Sequence, residues 1–64
     1  MFIAKDLTVR NDSSDVRVYL GKHLLAVIRM LNGYYSMETL STTNSGYRTV
    51  DDCITQLLVG LNGR

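Results

Sequence analysis

The chain has 64 residues, with seven Lys+Arg against six Asp+Glu, one cysteine, and neither proline nor tryptophan. A chain of this size buries only about 60% of the surface its unfolded form exposes, which leaves room for one small domain and excludes a two-domain cleft, a dinucleotide fold or an α/β barrel. Its 45% apolar content is that of a globular protein, and its net charge of +1 gives no general attraction to nucleic acid or to an anionic membrane.

Taken in chain order, residues 2–9 read as a weak edge strand, because Ile3, Leu7 and Val9 fit an alternating pattern that Lys5 interrupts. Asn11-Asp12-Ser13-Ser14 is a cluster of turn formers. Residues 15–20 alternate clearly, with Val16, Val18 and Leu20 on one side and Arg17 and Tyr19 on the other. Strands over residues 23–31 and 34–40 flank Asn32-Gly33, which suits a two-residue turn needing positive φ at both central positions. The stretch from Ser41 to Gly46 reads as a loop.

The last element is a helix over residues 50–61. Thr49 is placed to cap it, and Asp51 and Asp52 complement the helix dipole in the first turn. Val50, Cys53, Ile54, Leu57, Leu58 and Leu61 recur every three or four residues and form one apolar stripe. Tyr47 is expected to pack over the helix start, and Asn62-Gly63 to end the helix in a left-handed conformation. The expected fold is α+β: one domain over residues 1–64, an antiparallel meander of three to four strands with a C-terminal amphipathic helix on one face.

One helix covers one face of such a sheet, and alternation says which. The Asn32-Gly33 turn sets Leu31 opposite Tyr34 and Val27 opposite Glu38, so Leu24, Ala26, Ile28, Met30, Tyr35 and Met37 meet the helix. A three-residue connection through Gly21, Lys22 and His23 keeps Val16, Val18 and Leu20 on that same side. The opposite face then carries Arg17, Tyr19, Leu25, Val27, Arg29, Leu31 and Tyr34, with Asp15, Ser36 and Glu38. An apolar centre edged by tyrosine and arginine suits a protein interface. The same arginines and tyrosines could serve DNA, through phosphate or base contacts and stacking. Residues 2–10 folding over the face, or plain solvation, are the remaining possibilities. Asp15 is expected across from Arg29, and Arg17, Val27 and Glu38 in one row, which cancels part of the positive field a phosphate would feel.

Little here can do chemistry. His23 beside a turn is expected to be a solvated loop-edge residue, and Cys53 a buried, inert thiol. One Cys and one His cannot supply the four ligands of a structural zinc site, and no glycine-rich phosphate loop is present. No disulfide can form within the chain. The expectation is therefore a non-enzymatic module without cofactor or metal. Met1 to Asp6 reaches two charges within six residues, unlike a secretory leader, and no apolar run approaches the ~20 residues of a membrane span, so a cytoplasmic location is expected. A chain this short without disulfides or a metal site must use a well-patterned core or dimerise, and its apolar free face makes self-association the favoured expectation.

Asp15 to Lys22, Asn32-Gly33-Tyr34-Tyr35-Ser36 and the helix opening Thr49-Val50-Asp51-Asp52 resemble, in order and spacing, small DNA-binding domains built from three strands and a helix: the AP2-like arm-binding domains of phage-type integrases and the CedA-like cell-division activators. The resemblance implies that the free sheet face enters the major groove, with Arg17, Tyr19, Arg29 and Tyr34 facing DNA. The chain's size also resembles that of phage and mobile-element accessory proteins, which act as regulators or inhibitors of larger proteins. A protein partner or a second copy is the favoured expectation, and DNA the alternative.

Overall fold

A computed structural model of the chain describes residues 1–63. Five antiparallel strands form one sheet in sequential order: β1 (Leu7–Asp12), β2 (Asp15–Leu20), β3 (His23–Leu31), β4 (Tyr34–Glu38) and β5 (Thr43–Tyr47). The helix α1 (Val50–Asn62) follows and packs against β3, β4 and β5. The architecture is α+β, with five strands where three to four were expected.

The central hairpins follow the alternation closely. β3 and β4 pair as Leu31↔Tyr34, Arg29↔Ser36, Ile28↔Met37 and Val27↔Glu38. Asn32 and Gly33 have φ of 54° and 86°, the paired positive values that a two-residue turn of this kind requires. The resulting core joins Val18, Ala26, Ile28 and Met37 from the sheet to Cys53 and Leu57 from the helix, with Leu7 entering from β1. Val50, Ile54, Leu58 and Leu61 flank it, so the whole helical stripe faces the sheet. Thr49 caps the helix by accepting a hydrogen bond from the Asp52 amide at 3.0 Å.

Three elements differ from the expected ones. The edge strand is Leu7–Asp12 rather than residues 2–9. Ala4–Asp6 form a 3-10 turn instead, closed by the Asp6 carboxylate accepting from the Ile3 amide at 2.9 Å and by the Asp6 amide donating to the Ile3 carbonyl. Asn11 and Asp12 lie within β1, and only Ser13-Ser14 turn. Residues 43–46, expected as part of a loop from Ser41 to Gly46, join Tyr47 to form β5, and β4 ends at Glu38 rather than residue 40. Only Tyr47 of β5 is even half-buried, so its sequence carries no burial alternation to betray a strand.

The chain ends are joined by a side chain. Asn62 accepts from the Phe2 amide through Oδ1 at 2.8 Å and donates to the Phe2 carbonyl through Nδ2 at 2.7 Å. Asn62 therefore acts as a clasp on the N-terminal segment from within the helix. Gly63 caps the helix at φ −82°, outside the left-handed region expected for it.

Candidate functional site: the uncovered sheet face

The uncovered face is ordered in rows that run across the strands. One row reads Arg10, Arg17, Val27, Glu38 and Thr43 from β1 to β5. The next, toward the Asn32-Gly33 turn, reads Asp12, Asp15, Arg29 and Ser36. Leu31 and Tyr34 lie beyond it, beside the turn, and are 62% and 53% exposed. Tyr19 lies at the opposite end and is half-buried. Val27, Arg29, Leu31, Ser36, Glu38 and Thr43 share one shallow depression.

The structure thus brings six of the seven expected residues together: Arg17, Tyr19, Val27, Arg29, Leu31 and Tyr34. Leu25 is the exception. β2 and β3 join through a two-residue Gly21-Lys22 turn that pairs Leu20 with His23, and a bulge then restores the expected register from Val18↔Ala26 onward. Leu25 is the extra residue of that bulge, so it does not keep the side that strict alternation assigns it. It packs against the core instead, in a groove with Tyr47, Leu57 and Leu61. Leu24, expected in the core, pairs with Tyr19 and is 44% exposed. Met30, also expected to meet the helix, is 57% exposed and lies outside the core.

Arg10 and Asp12 join the face unannounced. Both follow from β1 running to Asp12. The signal was present in the alternation of Thr8, Arg10 and Asp12 with Leu7 and Val9, but it was masked by the turn-forming composition of Asn11 to Ser14.

Charge on this face is balanced. Arg10, Arg17 and Arg29 stand against Asp12, Asp15 and Glu38. Arg29 donates from Nε to Asp15 Oδ1 at 3.2 Å, the cross-strand pair the register predicts. Arg17 pairs with Asp12 at 3.1 Å on the diagonal, rather than with Glu38 along its row, where Val27 intervenes. Such partly exposed pairs contribute roughly 0–1 kcal/mol each. The Arg17 Nε is shut off from solvent and has no hydrogen-bond partner among the described residues.

Elsewhere the structure holds little that could carry chemistry. Cys53 is fully buried, and burial, with the neighbouring Asp52 carboxylate, pushes its thiol above the ordinary value. His23 is exposed at the β2–β3 turn. Among the described residues no three His, Cys, Asp or Glu side chains come together as a metal site would require, and no helix is long and apolar enough to cross a membrane. The chain matches no known family model, no curated protein and no solved structure.

Proposed function

We propose that this protein is a non-enzymatic binding module whose uncovered sheet face docks a protein surface, either a second copy or a larger protein that it regulates or inhibits. The observation that carries this reading is the composition of the face: Val27, Leu31 and Tyr34 lie among three arginines and three acids that sum to zero. Tyrosine, arginine and an apolar centre are the residues that anchor protein interfaces. A phosphate backbone rewards uncompensated positive charge, whereas here Arg17 and Arg29 are already engaged by carboxylates.

A photo-crosslinking amino acid placed at Leu31, with the same probe at Leu40 as control, tests the reading in cells expressing the protein. Leu40 is fully exposed on the β4–β5 loop, away from the face, so it reports random encounters. The expected result is a discrete protein adduct from position 31 and none from position 40. An adduct with nucleic acid from position 31 would replace this reading with DNA or RNA binding. Equal adducts from both positions, or none from 31, would overturn the choice of face.

A further inference from the structure

The charged rows contain an arrangement that is unfavourable within one chain. Arg10 stands directly opposite Arg17, and Asp12 directly opposite Asp15. Like charges directly opposed across antiparallel strands destabilise a hairpin. Only part of this is relieved internally, through Arg17–Asp12 and Arg29–Asp15. Arg10 has no ion partner among the described residues. The result is a pair of guanidinium groups beside a pair of carboxylates, two residues apart on the same two strands, or roughly 7 Å along each strand.

Such a patch is complementary to its own inverted image. We propose that the occupant of the uncovered face is a second copy of this chain, related by a two-fold axis that crosses the strands midway between the two rows. This rests on the face being the docking surface, as argued above. The axis lays each row over the other row of the second copy. Asp12 and Asp15 then meet the second copy's Arg10 and Arg17, and the reverse holds across the axis. The aliphatic stem of Arg29 lies over Val27, and Ser36 can donate to Glu38. Each of β1 to β4 then faces a group it can pair with or pack on, and the charges that repel within each chain are offset by attraction between chains. A C2 interface requires this self-complementarity.

Sedimentation equilibrium and native mass spectrometry of three chains test the proposal. The wild type is expected to dimerise. Arg10→Asp places a carboxylate opposite Arg17 in its own chain but over Asp12 of the second copy. It is expected to weaken the dimer by about tenfold or more, and to keep or raise the melting temperature measured at a concentration where both chains are monomeric. The charge-exchanged chain Arg10→Asp with Asp12→Arg has the wild-type composition of charges and is expected to dimerise with itself. Mixed with the wild type, it is expected to form heterodimers well below the statistical share, because like charges then meet across the axis. A statistical share of heterodimers would overturn the axis. A monomeric wild type at every concentration would overturn the second copy as occupant, while the crosslink from Leu31 judges the face itself separately. A lowered melting temperature of monomeric Arg10→Asp, together with a weakened dimer, would also count against it, since the variant would then be acting through the fold.

Discussion

The two faces of the sheet are made from the same strands, yet they are held by different physics. On the helix side, Val18 and Ile28 are wholly buried and meet Cys53 and Leu57, so the face is fixed by removal of apolar surface from water. On the other side, one residue along β3, Val27 sits half-buried between Arg17 and Glu38, on a face whose three arginines and three acids sum to zero. The first face is held by burial, whereas the second adds only partly exposed ion pairs worth roughly 0–1 kcal/mol each. A surface that contributes little to stability is the one free to be shaped by what it binds.

The sharpest way to break this comparison is to truncate neighbouring residues that point to opposite sides. Ile28→Ala removes a fully buried side chain and should cost about 2–5 kcal/mol. In a chain this small that approaches the whole stability, and a urea titration should show loss of the cooperative transition or a much lower midpoint. The clasp between the chain ends comes next. Asn62→Ala removes two hydrogen bonds to Phe2 and should cost about 1 kcal/mol, with faster amide exchange at Phe2 and an unchanged sheet.

Cys53 sharpens the same contrast through pH. Its folded-state thiol holds its proton above the ordinary value of 9.0, so the unfolded chain loses that proton first as pH rises. The contribution is intact below that value and declines above it. The urea midpoint of the wild type should therefore fall more between pH 8 and pH 10 than that of Cys53→Ala, and a parallel decline in both chains would contradict the assignment. The smallest effect belongs to the uncovered face. Arg29→Ala breaks a partly exposed pair with Asp15 and should change stability by less than about 1 kcal/mol. A large loss there would mean that the face is structural after all.

The helix side was legible in the sequence because burial imposes a period. Val16, Val18, Ala26, Ile28 and Met37 alternate, and the stripe from Val50 to Leu61 repeats at helical spacing, so β2, β3, β4 and α1 emerge nearly in place. The edges were not legible. Thr43–Tyr47 forms β5 by backbone pairing to β4, with one half-buried side chain to mark it. The start of β1 is hidden by a turn that Asp6 closes. Most of the candidate site followed from the Asn32-Gly33 register, which fixed Val27, Arg29, Leu31 and Tyr34 on one side. Leu25 did not, because a bulge inserts one residue and alternation cannot register an insertion. Arg10 and Asp12 were missed for a related reason: strand residues that are polar on both sides resemble a turn.

The central claim is that the uncovered sheet face, rather than any other exposed apolar surface, is where this protein meets its partner. Side-chain methyl NMR over a wide concentration range tests it most directly, since Val27 and Leu31 lie on the face while Leu40 and Val59 are exposed elsewhere. The account predicts that the Val27 and Leu31 methyl signals move with concentration while those of Leu40 and Val59 stay fixed. Movement of Leu40 or Val59 with Val27 and Leu31 unchanged would contradict it.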